Sequence, residues 1–215
     1  MRPHDDDLRC ARRARSRAVA ALMVALTVGC HGRPVAPDPA PVAGRRLTHE
    51  ETLAWIASHR AWREARKTKP MWARAVEPAE VGKEFHTADH AVERADADHW
   101  LCVGVAGEPW FQPKAKIEAK YRCTVRERRQ FSFDDAPHEY GVFHPREGSR
   151  SWAAKIDDPA IEGFYIQPSY PTDGPLYSPR GGYVVRDHIA DPYAGSPNDV
   201  WLVQQALFES TYELD

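Results

Sequence analysis

The spacing of apolar residues predicts one long helix near the start of the folded region. Thr48 and Glu51 match a capping box, in which each side chain accepts a hydrogen bond from the other residue's backbone amide. Apolar residues then recur at nearly helical spacing until Pro70, which is expected to stop the helix. The pattern therefore predicts an amphipathic helix over residues 48–68.

Shorter apolar runs follow and favour strands. They lie at Trp72–Val76, Glu84–Thr87, Trp100–Val105 and Trp110–Gln112. Gly107 and Pro109 separate the last two runs, which indicates a hairpin closed by a glycine-containing turn. Pro113 suits the first turn of a short helix, in which Ile117 and Tyr121 share one face.

The same pattern recurs 91 positions further along the chain. Four residues are identical at this offset: Trp110, Ala115, Glu118 and Tyr121 match Trp201, Ala206, Glu209 and Tyr212. Upstream, Trp72-Ala73 corresponds to Trp152-Ala153, and Trp100-Leu101-Cys102 corresponds to Tyr183-Val184-Val185. The offset grows because the second copy has a longer loop at 187–198, as duplication predicts, the alternative being a chance resemblance between the two stretches.

These observations predict an α+β protein with two tandem modules. The first module covers residues 70–122, the second covers residues 150–215, and a charged connector at 123–149 joins them. Each module is expected to be a short antiparallel sheet with one short helix, and the amphipathic helix precedes them. Modules of this size are small for independent stability, so we expect them to share apolar surface.

The first module resembles a known family of small domains. The stretch W-L-C-V-G-V-A-G-E-P-W-F-Q-P at Trp100–Pro113 is similar to the bacterial and phage family called PGDYG, and F-E-S-T-Y at Phe208–Tyr212 is similar to its ending. The motif that names the family aligns with Ala97–Trp100 and with Arg180–Tyr183, and neither copy retains it in full. The resemblance implies an architecture and carries no activity.

The first thirty residues resemble an export signal. The apolar run from Ala18 to Val28 would span about 16 Å as a helix, too short for a hydrocarbon core of about 30 Å. It ends in L-T-V-G-C, which resembles a bacterial lipobox with Cys30 as the lipidated residue. We predict a lipoprotein signal peptide at 1–29 and a proline-rich tether at 30–47, the alternative being an ordinary signal peptide with an incidental cysteine.

Sorting and charge narrow the expected location and partners. Bacterial lipoproteins with aspartate after the lipidated cysteine tend to stay in the inner membrane, whereas His31 stands there in this chain. We therefore expect the protein to be attached to the outer membrane of the cell envelope through its lipid. A formal charge of −2 argues against a nucleic-acid partner, and an envelope protein or glycan is a possible partner instead.

Cysteines and histidines offer the candidate covalent and metal chemistry. An exported chain with Cys102 and Cys123 in its folded part predicts a disulfide between them, the alternative being two buried free thiols. His86 and His90 are a weak candidate for a metal pair, because solvated loop histidines explain the same spacing. We expect no cofactor and no resident metal.

Aromatic residues outside the repeat are the remaining candidates for a binding surface. The repeated tryptophans are expected in the core, so the candidate ligand-binding residues are Tyr140, Phe143, Tyr165, Tyr170 and Tyr177. A catalytic motif such as a nucleophile elbow or a phosphate loop is not found. The sequence therefore favours a non-catalytic binding or scaffolding lipoprotein. The alternative is an envelope hydrolase with a site between the two modules that uses His86 and His90.

Overall fold

The protein is built mainly from β-strands. The computed structural model describes residues 44–86, 92–132, 137–168, 172, 174–194 and 199–215. The described strands are β1 (Arg45–Leu47), β2 (Arg63–Lys67), β3 (Met71–Ala75), β4 (Glu84–His86), β5 (Val92–Arg94), β6 (His99–Val103), β7 (Pro109–Pro113), β8 (Tyr121–Phe131), β9 (His138–Pro145), β10 (Ser151–Lys155), β11 (Ile161–Ile166), β12 (Leu176–Pro179), β13 (Tyr183–Asp187), β14 (Val200–Val203) and β15 (Tyr212–Leu214). The described helices are α1 (His49–Ser58), α2 (Lys114–Lys120) and α3 (Gln205–Thr211).

This composition corrects the expected fold class. The α+β prediction is wrong, because the described chain has fifteen strands and only three short helices. Residues 63–67, expected at the end of a long helix, form β2 instead. The expected connector 123–149 contributes most of β8 and all of β9. β2 pairs with β10 and β15, and β9 pairs with β3, so pairing with distant strands outweighs the local pattern.

Helix α1 begins as the sequence predicts. The amide of Glu51 donates to the Thr48 hydroxyl at 3.3 Å, and the amide of Thr48 donates to the Glu51 carboxylate at 2.9 Å. This reciprocal pair satisfies two amides that a helix start leaves without a partner. Ile56 and Thr52 of α1 are buried, so the helix packs by one face onto the sheets.

The end of α1 differs from the prediction. The helix stops at Ser58 because Arg60 adopts a left-handed backbone conformation with φ of 47°. The amide of Arg60 donates to the carbonyl of Ala57 at 3.2 Å, and the amide of Ala61 donates to the carbonyl of Ile56 at 3.0 Å. These two hydrogen bonds form a Schellman motif, which usually carries glycine at the position of Arg60.

Two five-stranded antiparallel sheets dominate the fold. Sheet I has the order β7-β6-β3-β9-β8, and sheet II has the order β14-β13-β10-β2-β15. The strand orders correspond one to one, with the short helix placed before the last strand in each case. β1, β11 and β12 form sheet III, and β4 pairs with β5 in a separate hairpin.

The hydrogen-bonded registers of sheets I and II also correspond. Trp110 pairs with Cys102 in sheet I, and Trp201 pairs with Val185 in sheet II. Ala73 also pairs with Cys102, as Ala153 does with Val185. Residues that the sequence comparison matches therefore occupy matching places in their sheets.

Each half of the chain contributes one strand to the sheet that is otherwise built from the other half. β2 precedes β3 in the chain but lies in sheet II between β10 and β15. β9 precedes β10 but lies in sheet I between β3 and β8. The chain thus crosses from one sheet to the other at residues 68–70 and 146–150. The amides of Thr68 and Arg146 fix these crossings by donating at 2.8 Å to the carbonyls of Thr211 and Lys120.

Each sheet carries apolar side chains on both faces. One face of sheet I packs Met71, Trp100 and Phe143 around Ile117 of α2. The corresponding face of sheet II packs Tyr183 and Val185 around Phe208 of α3. The opposite face of sheet II, covered by α1 and sheet III, forms the largest cluster of buried side chains.

The register also rules out the predicted disulfide. Cys102 lies on β6 and Cys123 lies on β8, with β3 and β9 between them. Three inter-strand steps separate their backbones by about 14 Å. A disulfide needs Cα atoms within about 7 Å, so these two residues cannot be bridged. Cys102 is accordingly a free thiol, completely buried in the sheet.

Candidate functional site

A large cleft opens where the two sheets meet. It has a volume of about 1400 Å³ and is bounded by β7 and α2 on one side and by β14 and α3 on the other. Lys67, Pro145 and Ser151, at the chain crossings, also line it. Residues of the two sheets and their helices make up most of the lining. The cleft therefore depends on the strand exchange that holds the two sheets together.

Four aromatic side chains of the cleft come from matching positions. Trp110 and Trp201 lie at the same register position of β7 and β14. Tyr121 and Tyr212 directly follow α2 and α3, and each donates its amide to the carbonyl four residues earlier, in Ile117 or Phe208. The same local sequence pattern thus places one tryptophan and one tyrosine on each side of the cleft.

Lys67 lies among aromatic rings of both sheets. Its ammonium nitrogen is 5.0 Å from the ring centroid of Trp110, 5.9 Å from that of Tyr121 and 5.8 Å from that of Tyr212. These distances are in the range of cation–π attraction. Lys67 is at the end of β2 in sheet II, so its contact with Trp110 links sheet II to sheet I.

Two lysines on the sheet I side of the cleft contact residues of sheet II on the other side. Lys116 and Lys120 on α2 lie over the ring of Trp201 at 4.9 and 5.4 Å. Both ammonium groups pair with the carboxylate of Asp187 on β13, Lys116 at 3.0 Å and Lys120 by a short hydrogen bond. Two lysines of one sheet are therefore held by one aspartate and one tryptophan of the other.

Burial and neighbouring charges shift the pKa values of this group. Burial lowers the pKa of Lys120, and its hydrogen bond to Asp187 offsets this only in part. Burial alone would raise the pKa of Asp187, but the hydrogen bond from Lys120 and the charges of both lysines outweigh it and lower that pKa. Asp187 is therefore ionised at neutral pH and compensates one of the two neighbouring lysines.

The tyrosines of the cleft are neutral over the physiological range. Burial raises the pKa of Tyr212 to about 12 and also raises the pKa of Tyr121. On α3, the hydroxyls of Ser210 and Thr211 donate to the backbone carbonyl of Leu207.

Taken together, the residues of the cleft present lysine ammonium groups within aromatic and apolar walls, which suits binding of a partly apolar ligand.

The structure separates the five aromatic residues that were candidates for ligand binding. Tyr140 and Phe143 are buried in sheet I, so neither side chain can form a recognition surface. Tyr165 and Tyr177 lie side by side on sheet III with ring centroids 5.2 Å apart, and Tyr177 is 40% exposed. Tyr170 lies outside the described residues. None of the four described residues lines the cleft.

The other predicted sites are only partly covered by the structure. Cys30, His90 and the side chain of His86 lie outside the described part of the chain. Asp96, Asp98 and His99 bring ligand atoms within 4.8 Å of one another, but Asp96 and Asp98 are exposed and His99 is hydrogen-bonded to Asp98 at 2.8 Å. Exposed acidic clusters of this kind occur without a metal, so the cluster is not treated as a metal centre.

Sequence reasoning did not identify the charged residues of the cleft. It found Trp110 and Trp201 through the repeat but assigned them to the core. Lys116 and Lys120 are four residues apart on one helix, which was a usable signal once α2 was expected. Lys67 and Asp187 carried no local signal, because each acts through residues that are far away in the chain.

Comparison with protein-family models, curated proteins and solved structures finds no match to this chain. The similarity to the PGDYG family therefore rests on the quoted sequence motifs alone. Within the described residues, every helix is too short or too polar to cross a bilayer.

Proposed function

We propose that this chain is a binding or scaffolding lipoprotein of the bacterial cell envelope and that the cleft between sheets I and II is its binding site. One observation carries the proposal: a cleft of about 1400 Å³, lined by matched tryptophans and tyrosines from both sheets. A concave, largely apolar cavity with a few convergent polar groups is the usual form of a ligand site. The matching strand orders and registers support an origin by duplication, in which the cleft arose between the two copies.

Anchoring is the second part of the proposal. The lipobox-like L-T-V-G-C at residues 26–30 supports lipidation at Cys30, and His31 supports sorting to the outer membrane. The proline-rich tether at 30–47 would then connect the membrane to the folded part. A cleft displayed beside a membrane suits capture of an envelope protein or glycan.

The anchor is tested by labelling the full chain with radioactive palmitate in a bacterium with two membranes. We expect the wild-type protein to incorporate label and to fractionate with the outer membrane. Cys30→Ala should lose the label and be released from the membrane fraction. Label that persists in Cys30→Ala would contradict lipidation at this residue.

The binding site is tested by site-specific photocrosslinking in the native envelope. A benzophenone side chain is placed at Ala206, which lines the cleft, and at Leu214, an exposed residue of β15 outside its lining. We expect a discrete crosslinked species from position 206 that is missing from position 214. Equal crosslinking at both positions would argue against the cleft.

If the protein is instead a hydrolase, the cleft should turn over a substrate. A hydrolase would convert peptidoglycan fragments or ester substrates, and Ala206→Trp, which places a large ring in the cleft, would reduce its turnover. The proposed binding protein retains ligands without turnover. Catalysis that is lost in Ala206→Trp would therefore replace the binding proposal with the enzymatic one.

A further inference from the structure

We propose that the cleft selects ligands that carry an anionic group, a carboxylate or a phosphate, next to a flat apolar body. The inference rests on the proposed binding function and specifies the chemical class of the ligand. It is carried by three lysines whose positive charge is only partly compensated by the protein.

Lys67 supplies the first uncompensated charge. Among the described residues, no carboxylate lies within ion-pair distance of its ammonium group, which contacts three aromatic rings instead. The ring faces stabilise the charge weakly and leave it available to an anion. A carboxylate or phosphate that enters the cleft can therefore pair with Lys67 without displacing an existing partner.

Lys116 and Lys120 together supply the second uncompensated positive charge. Both ammonium groups contact the single carboxylate of Asp187, and Asp199, which also acts on Lys120, pairs with Arg186, so the group retains a net positive charge. Lys120 is largely withdrawn from water, with 22% of its side chain exposed, which weakens solvent screening of the charge. The cleft is thus positive on the side formed by α2 and the end of β2.

The acidic side chains that line the cleft, Glu84, Glu93, Asp96 and Glu108, lie on other elements, and each already accepts a hydrogen bond; Asp96 accepts the amide of Ala97 at 2.5 Å. Glu84 pairs with Arg94 at 2.8 Å, Glu93 accepts the amide of Phe111 at 2.6 Å, and Glu108 accepts the amide of Ala106 at 3.0 Å. These residues belong to the β4-β5 hairpin, to the segment between β5 and β6 and to the turn before β7. Like charges repel, so these carboxylates disfavour an anion beside them, and its charged group pairs with the lysines instead.

The aromatic walls define the rest of the ligand. Trp110 and Trp201 face the cleft from opposite sheets, with Tyr121, Tyr212 and Leu207 nearby. Flat apolar groups fit beside such side chains because ring contacts add to the gain from removing apolar surface from water. An anion without an apolar body would lose this contribution, and a neutral apolar ligand would lose the contribution of the lysines.

Two fluorescent probes with nearly the same body separate these contributions. The anionic probe is 1-anilinonaphthalene-8-sulfonate, and the neutral probe is N-phenyl-1-naphthylamine. Binding to the purified full-length protein is followed by energy transfer from tryptophan to the probe. We expect Lys67→Met to weaken binding of the anionic probe about tenfold and of the neutral probe less than twofold. Raising the salt concentration should weaken only the anionic probe.

Matched variants control for stability and for binding elsewhere. Lys69→Met changes an exposed lysine two residues away, outside the cleft lining, and should leave both affinities unchanged. Lys116→Met provides a second test of the same charge effect if Lys67→Met is too unstable. Ala206→Trp should reduce binding of both probes because it places an indole ring in the cleft. Urea unfolding of each variant identifies effects that come from loss of structure.

The possible outcomes distinguish this inference from the proposed function. If Lys67→Met and Lys116→Met weaken both probes equally, or neither, the preference for anions is wrong while the binding cleft stands. If the wild-type protein binds neither probe, or Ala206→Trp leaves both affinities unchanged, the cleft is not a ligand site and the proposed function is wrong with it.

Discussion

Trp110 of sheet I and Trp201 of sheet II occupy the same register position, and each carries on its ring the ammonium group of at least one lysine from the opposite sheet. Lys67 reaches Trp110 from sheet II, and Lys116 reaches Trp201 from α2, which packs on sheet I. The contacts are reciprocal although the lysines are not related by the repeat. The junction between the sheets therefore relies on cation–aromatic contacts as well as on the exchanged strands.

The contact between Lys67 and Trp110 should be measurable as a coupling energy. We expect Lys67→Met and Trp110→Leu, studied singly and together by urea unfolding at pH 7, to show about 0.5–2 kcal/mol of interaction, because the ammonium and the ring attract each other away from bulk water. Lys69→Met should change the free energy of unfolding by less than about 0.5 kcal/mol. Strictly additive effects of the two substitutions would show that the contact does not stabilise the fold.

The matching registers predict which residue can replace Cys102. Val185 occupies the corresponding place in sheet II and is also completely buried. Cys102→Val should cost less than about 1.5 kcal/mol, since the change conserves apolar character and suits a strand. Cys102→Ser should cost about 1–3 kcal/mol, because within the described chain the buried hydroxyl has only the carbonyl of Trp100 as acceptor, which lies 3.7 Å from the sulfur and is too far for a good O–H···O hydrogen bond. Urea unfolding of both variants tests this, and a more stable serine variant would contradict it.

The same thiol should be chemically inert in the folded protein. Burial raises the pKa of Cys102 far above neutral, so almost none of it is present as the reactive thiolate. We expect iodoacetamide at pH 8 to leave Cys102 unmodified in the native state and to label it in 8 M urea. Peptide mass spectrometry on the Cys102 peptide measures both, and rapid native labelling would show that the site opens locally.

The sequence was sufficient to locate the β6-β7 hairpin and to align the two halves, but it did not reveal the β8-β9 hairpin. Trp110 and Trp201 marked corresponding strands because a repeated tryptophan is rare, and the registers place both residues at the same position. The end of α1 could not be predicted, because Arg60 takes the left-handed position that glycine usually marks. β2 could not be recognised either, since its partners β10 and β15 are more than 80 residues away.

The candidate site was less accessible to sequence reasoning than the fold. Tyr140 and Tyr177 both looked like exposed loop aromatics, yet Tyr140 is buried in sheet I and Tyr177 is exposed on sheet III. Lys67 faces the rings of Trp110 and Tyr212 only because β2 joins the opposite sheet. Such a site depends on how strands are shared between sheets, and local patterns do not encode that.

A buried ion pair should make stability depend on pH. Arg74 and Glu80 form two hydrogen bonds of 2.6 and 2.5 Å, with 5% and 6% of their side chains exposed. Burial alone would raise the pKa of Glu80, but the hydrogen bonds from Arg74 and from the Glu77 amide outweigh it and lower that pKa. The carboxylate therefore stabilises the fold above its unfolded pKa of about 4.5, and this contribution is lost as the pH falls through the lower folded value.

Glu80→Gln should cost about 3–5 kcal/mol at pH 7, since it leaves the charge of Arg74 buried without its partner. The difference between wild type and Glu80→Gln should shrink between pH 7 and pH 3, as followed by urea unfolding. Glu213→Gln removes the exposed pair with Arg66 and should change stability by less than about 1 kcal/mol at either pH. A difference between wild type and Glu80→Gln that is independent of pH would contradict this account.

The strand exchange predicts where the chain can be divided. A fragment of residues 70–122 lacks β9 and all but the first two residues of β8, so β3 loses its neighbour on one side and sheet I cannot form. We expect this fragment to show no cooperative urea transition by circular dichroism, whereas residues 70–149, which include β9, should show one. The reason is that β9 supplies ladder hydrogen bonds to both neighbours and buries Tyr140 and Phe143 in sheet I. Cooperative unfolding of residues 70–122 alone would mean that β3, β6 and β7 form a stable sheet without β8 and β9.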